Sequence, residues 1–383
     1  MKLRIKYITA FALLYYGLAT ALGQTWSLHG QASGWLAFTP DNSRVAQTGL
    51  RYIPELTIEP KSRGNLGAEV DLSLNNYTTA SFTKSEHPEG EGKIKPYRAW
   101  FSLASNTLEV RIGLQKINFG SATLFRSLMW FDKIDPRDPL QLTDGVYGLL
   151  VRYYFLNNAN IWLWGLCGND KTKGWEIVPT RKKSVEYGGR VQTILGTGEV
   201  GFSYHHRQAD FSKLTGLPIT AGESFVPENR YALDGKWDIG IGAWLEAVLI
   251  HTQSQIPGMK YQRYWTVGVD YTFGIGNGLT VLTEYFRLEN PDAPFRFRCD
   301  GHGFSALSLS YPRSLRDRLS CMLFRDWTTH EWYRLVTWQR TYDNWILYLL
   351  GFWNPQQIQL YRTREGSNPF AGTGIQLMVV FNH

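Results

Sequence analysis

The strictest constraint on this chain is a period of two that recurs along almost its whole length. Leu66, Ala68, Val70, Leu72 and Leu74 alternate with Asn65, Gly67, Glu69, Asp71 and Ser73, which puts apolar and polar groups on opposite faces of a strand. Leu108, Val110, Ile112 and Leu114 do the same against Glu109, Arg111, Gly113 and Gln115. Tyr231, Leu233, Gly235, Trp237 and Ile239 repeat it against Arg230, Ala232, Asp234, Lys236 and Asp238. A single such strand fits a soluble sandwich. The repetition does not, because the connections alternate in length as well.

Alternating runs begin near Trp26, Gly49, Asn65, Ile94, Thr107, Val146, Asn160, Ser184, Glu199, Arg230, Gly242, Tyr261, Leu279, Phe304, Arg318, Trp332, Trp345 and Gly374, which predicts about 18 strands. Short turns fall near 59, 105, 157, 196, 240, 274, 312 and 342. Long connections fall between them at 77–93, 117–144, 168–183, 208–229, 289–303 and 354–371, with shorter members near 39–47, 252–259 and 327–330. Tight turns at one end, long loops at the other and an even strand count predict an all-β fold, a transmembrane antiparallel up-and-down β-barrel. Its outward apolar faces close against lipid, leaving no open edge.

The beginning of the chain agrees with export. Lys2, Arg4 and Lys6 precede an apolar run at 7–22, and Ala21, Leu22 and Gly23 offer small residues for cleavage. The run falls short of the roughly 20 residues a spanning helix needs. Residues 1–23 therefore read as a signal peptide and 24–383 as one barrel domain. Aromatics make up 15% of the chain, with 15 Trp and 21 Tyr, and charged residues 19%, a mixture suited to a wall with lipid on one face and water on the other. The formal charge of +7 includes the three bases of the signal peptide, and the remainder is too weakly basic to predict a nucleic-acid partner. Cys167, Cys299 and Cys321 are too few for a disulfide framework.

The segment 117–144 is the longest connection and the third of the long loops. Asp132, Lys133, Asp135, Arg137, Asp138 and Asp144 accompany Met129, Trp130 and Phe131, and Pro136 and Pro139 stiffen it. Folded inward, such a loop forms a constriction; left outside, its Asp-Pro steps are ordinary surface turns. On the wall, parity sends Arg98 inward between outward Tyr97 and Ala99, and likewise Arg111 and Arg152. Counted from the short turns the three lie at similar heights. They read either as a basic ladder setting ion preference or as arginines paired locally with Glu109, Glu69 or Asp71. Glu69, Asp71, Glu109, Arg230, Asp234 and Glu284 are placed in the lumen by the same parity.

The stretch RIGLQKINFG at 111–120, followed by the long loop, resembles the corresponding strand and loop of substrate-specific porins of the phosphate-selective and alginate-export-like groups. The closing run GIQLMVVFN at 374–382 is similar to the final strand of outer-membrane proteins, here followed by His383. These resemblances imply a bacterial outer-membrane porin with an inward-folded third extracellular loop. The expected function is diffusion of small polar or anionic solutes. Expected neighbours are outer-membrane lipids and lipopolysaccharide, with room for a homo-oligomer. Two other readings stay open: a non-conducting barrel that serves surface polysaccharide export or secretion, and a barrel hydrolase. No phosphate-binding glycine loop, metal-spaced Cys/His set or nucleophile elbow occurs, so the chain is not expected to be an enzyme or to carry a cofactor or metal. His205 and His206 are adjacent on a strand and point to opposite faces, which predicts no shared metal site.

Overall fold

The computed structural model describes residues 24–40, 44–60, 64–83, 87–214, 224–254, 256, 258–296, 300–356 and 370–383. The expected signal peptide and Cys299 lie outside these residues. The first half of the chain supplies β1 (Gln24–Phe38), β2 (Arg44–Pro60), β3 (Gly67–Thr83), β4 (Glu89–Ala104), β5 (Leu108–Gln115), β6 (Val146–Tyr154), β7 (Asn160–Cys167), β8 (Val185–Leu195) and β9 (Gly198–Asp210). The second half supplies β10 (Phe225–Asp238), β11 (Gly242–Thr252), β12 (Tyr261–Phe273), β13 (Leu279–Glu289), β14 (Gly301–Pro312), β15 (Asp317–Asp326), β16 (Trp332–Thr341), β17 (Trp345–Trp353) and β18 (Thr373–Asn382). Each pairs antiparallel with its sequence neighbours, and β18 pairs with β1 from Gln31↔Asn382 to Phe38↔Ile375, closing an 18-stranded barrel. Cys167 and Cys321 are free thiols.

The period-two pattern is what makes the wall two-faced. On β18, Gln376, Met378 and Val380 are buried inside while Ile375 and Leu377 are exposed outside. On β10, Glu228, Arg230, Ala232 and Asp234 turn inward and Tyr231 and Leu233 outward. A one-residue slip would reverse these faces, so lipid on one side fixes the register.

Two local expectations are corrected. Most of 77–93 is strand rather than loop, with Thr78↔Gly92 and Ser81↔Glu89 paired, because Thr78, Thr79 and Thr83 are polar but β-branched and suit a pleated sheet. Tyr97 does not face lipid. Ser73 pairs with Arg98 and Leu74 with Pro96, leaving Tyr97 as an extra residue that bends the strand and lines the interior cavity.

The core lies inside the barrel. Long inner faces meant to meet water are apolar over β11 to β16, where Val248, Ile250, Phe286, Ala306, Phe324 and Tyr333 are buried. What covers them comes from the loops.

Candidate pore

The connection at 116–145, L3, leaves β5 and crosses the lumen to β11–β13, a third of the way round the barrel. Two carboxylates of the far wall hold it. Glu284 accepts the backbone N–H groups of Thr123 (2.6 Å), Leu124 (3.0 Å) and Phe125 (2.5 Å), as well as Nε1–H of Trp244 (3.0 Å). Glu246 accepts those of Ala122 (2.8 Å) and Leu128 (3.1 Å). Thr266 donates to the Phe125 carbonyl. Backbone donors aimed at buried carboxylates give strong, short-range fastening, and a segment without regular secondary structure needs such partners when buried. Gly120 makes the approach possible: its φ is +102°, and a Cβ there would lie 2.4 Å from Glu246 Oε1.

Apolar contacts complete the attachment. Phe125, wholly buried, stacks on Phe286 at 5.7 Å and meets Phe324 edge-on at 5.5 Å. Phe119 stacks on Trp164 at 5.6 Å. Within L3, Arg126 pairs with Asp132 and donates to the Phe119 carbonyl, so Asp132 holds the loop's own fold. Arg137 makes a two-pronged pair with Asp135, with Nε to Oδ1 at 3.0 Å and Nη2 to Oδ2 at 2.8 Å, and lies 5.4 Å from the Phe370 ring.

A second loop also folds in. L4, at 168–184, bridges to β9 through Thr180↔Ala209. It rests on L3 through Gly174 N–H to the Asp132 carbonyl and Trp175 Nε1–H to the Arg126 carbonyl. Beneath it lies a lattice of buried charges. Arg207 joins Glu228 (2.6 Å) and Glu176 (3.3 Å), and Arg230 joins the same two acids. Lys173 pairs with Glu186 (2.8 Å) and Arg190 with Asp234 (2.5 Å). Four bases meet four acids, so desolvation is offset by close pairing.

The loops leave room on the other side of the lumen. A cavity of about 500 Å³ runs along the inner faces of β18 and β1–β4, bounded by L3, by Trp175 and Glu176 of L4, and by Leu288 and Phe304 of β13 and β14. Trp35, Arg51, Asn75, Lys95 and Tyr97 line it from the wall, and Lys133, Asp135, Asp138 and Asp144 from the loop. The Arg51 guanidinium sits 5.6 Å from the Trp35 ring and 5.4 Å from that of Tyr77. Lys95 pairs with Asp144 at 2.9 Å. Burial pushes the Asp138 carboxyl above its ordinary pKa, and the nearby Asp135 charge adds to this.

The residues expected to form one constriction are divided by this geometry. Lys133, Asp135 and Asp138 face the cavity, whereas Asp132 and Arg137 are buried in the loop's fold. Of the three wall arginines, Arg98 touches L3, donating to the Thr143 carbonyl at 3.1 Å. Arg111 and Arg152 share Glu109 at 2.8 and 3.2 Å, and lie over Trp100 (4.1 Å) and Trp162 (4.0 Å).

The three are not at similar heights. Arg152 is opposite Glu109, Arg111 lies two residues farther along β5 opposite Ser102, and Arg98 is four residues beyond Ser102 on β4. That stagger is about 7 Å and then about 13 Å along the strands. Glu69 and Asp71 face inward on β3. Arg230 and Asp234 belong to the buried charge lattice, and Glu284 is a loop clamp. Neither Glu246 nor the inward course of L4 stands out in the sequence pattern. The signal present for L4 was its Trp175 and Val178 amid polar residues; for Glu246 it was only inward parity.

No family model matches the sequence, and no curated protein matches it. Among solved structures, OccK5 (OpdH) of Pseudomonas aeruginosa is 11% identical over 94% of this chain and 97% of that one, with a TM-score of 0.56. OmpF of Salmonella typhi is 12% identical over 94% and 98%, with a TM-score of 0.49. The anion-selective porin from Comamonas acidovorans is 13% identical over 94% and 100%, with a TM-score of 0.47. What the chain shares with OccK5, at so low an identity, is the fold: a porin-type transmembrane β-barrel.

Proposed function

We propose that the protein is an outer-membrane diffusion channel whose water path runs off-centre, between L3 and the inner faces of β18 and β1–β4, and carries small polar or anionic solutes. The observation that carries this reading is the cavity with Arg51 and Lys95 on the wall and Asp135 and Asp138 on a loop fastened from the far side. A loop held by Glu246 and Glu284 sets a fixed gap. Wall cations against loop acids lay a charged strip along a cavity that Leu140, Leu288, Phe304 and Met378 otherwise line with apolar surface, and such charges act on ions and polar solutes. The likeness of 111–120 to phosphate-selective and alginate-export-like porins enters only through this strand and loop.

Conductance in planar bilayers tests the reading. Wild-type protein should form channels, and removal of residues 124–139 should enlarge them while the barrel stays folded and heat-modifiable. The second reading, a non-conducting scaffold barrel, is favoured by the apolar core that fills the lumen along β11–β16. Absence of channels in both proteins would establish it over the first.

A further inference from the structure

The outer wall carries arginines at one rim. Arg325, on β15, and Arg334, on β16, lie on outward-facing positions within three residues of the long-loop ends of their strands. The register joins them to tryptophans: Arg325 is opposite Trp332, and Arg334 is opposite Trp353. The Arg325 guanidinium is 5.7 Å from the Trp327 ring and 5.0 Å from the Trp332 ring, and that of Arg334 is 6.0 Å from Trp332. Trp327, Trp332 and Trp353 are each about half exposed.

Charge pairing separates these two arginines from others on the wall. Arg263 and Arg287, farther round the same rim, share Glu289. At the opposite rim Arg340 has Asp317 at 3.7 Å. Neither Arg325 nor Arg334 has a carboxylate within ion-pair distance among the described residues; Arg325 donates to the His330 carbonyl. Two cations at the rim of the outer wall, without an internal counter-charge, are open to an anion from outside, and guanidinium favours phosphate with two parallel donors. The flanking indoles belong at the level of lipid headgroups.

We propose that Arg325 and Arg334, framed by Trp327, Trp332 and Trp353, bind the phosphorylated headgroup of a lipid in the leaflet at the long-loop end. The site rests on the reading of the barrel as membrane-embedded, which insertion into phosphatidylcholine vesicles tests separately.

The experiment measures binding of bis-phosphorylated lipid A and of its dephosphorylated form to the full chain in detergent, by native mass spectrometry. Wild-type protein should prefer the phosphorylated lipid, and the double variant R325Q/R334Q should lose about tenfold in affinity for it, with no change for the dephosphorylated form. R316Q/R340Q, at the other rim, should bind as the wild type does. Equal binding of both lipids by wild-type protein, or full retention by a heat-modifiable R325Q/R334Q, would overturn the site. Displacement of the lipid by millimolar inorganic phosphate would overturn the lipid as its ligand. If the double variant does not fold, the wild-type comparison of the two lipids decides.

Discussion

The backbone N–H of Phe125 donates to Oε2 of Glu284 across 2.5 Å, joining residues separated by 159 positions in sequence. With the amides of Thr123 and Leu124 on the same carboxylate, this one side chain fixes the turn at which L3 meets the far wall.

Replacing Glu284 by Ala should therefore strand the buried amides of Leu124 and Phe125, the half-buried amide of Thr123 and the Trp244 indole. Each unsatisfied buried group costs about 1–3 kcal/mol, and partial relaxation should leave a net loss of about 3 kcal/mol. Thermal unfolding followed by heat-modifiability on gels would measure it. Single channels of the same variant should be noisier and wider than those of wild type. Unchanged stability and quiet channels would show that Glu284 does not hold the loop.

Arg207→Ala should be more damaging, since it leaves Glu176 and Glu228 buried with only Arg230 between them. Removing one partner from a buried ion pair costs about 3–5 kcal/mol. Arg51→Ala, on the cavity wall, is the comparison and should cost less in urea unfolding. The reverse order would mean that the lattice under L4 contributes little.

The wall arginines should not act as a set. Arg111→Gln and Arg152→Gln each leave the other arginine on Glu109, so reversal potentials at low salt should move little. Arg98→Gln releases the Thr143 carbonyl and should loosen the second half of L3, which gating noise would report. Equal shifts in ion preference from all three substitutions would restore the ladder.

Asp138 should make permeation depend on pH. A carboxyl whose pKa is raised on folding contributes stability that is complete below the unfolded value, about 3.9 for Asp, and is lost as pH rises through the folded value. In the cavity the same shift means that acidification removes the negative charge of Asp138 before that of ordinary carboxylates. Cation permeability should fall in that range, above the usual carboxylate pKa, and Asp138→Asn should abolish the step. A step that survives in Asp138→Asn would assign it elsewhere.

The wall was legible because it obeys a rule with a period of two. Strands expected near Val146, Asn160, Gly242, Tyr261, Leu279, Trp332 and Trp345 begin at those residues, since lipid on one face punishes any slip. The inward course of L3 was legible in its length and its Met129-Trp130-Phe131 run. Its attachment was not. Glu246 and Glu284 bind backbone amides, which carry no side-chain signature, and the partners are more than a hundred residues away. Heights on the wall are not legible by counting from turns, because that ignores the register between strands, and the extra residue at Tyr97 shifts one strand against the next. Asp132 resembles a pore charge in sequence, but Arg126, six residues earlier, takes it into the loop's own fold.

The off-centre cavity divides the barrel's inner surface into two territories under different constraint. Glu246, Glu284, Arg207 and Glu228 hold the loops from one side, while Trp35, Arg51 and Asn75 meet the open space from the other. A mutation among the second group leaves the clamps of the first untouched. Under the proposed channel reading, solute preference can therefore drift, one substitution at a time, across a lineage whose barrel and loops stay as they are.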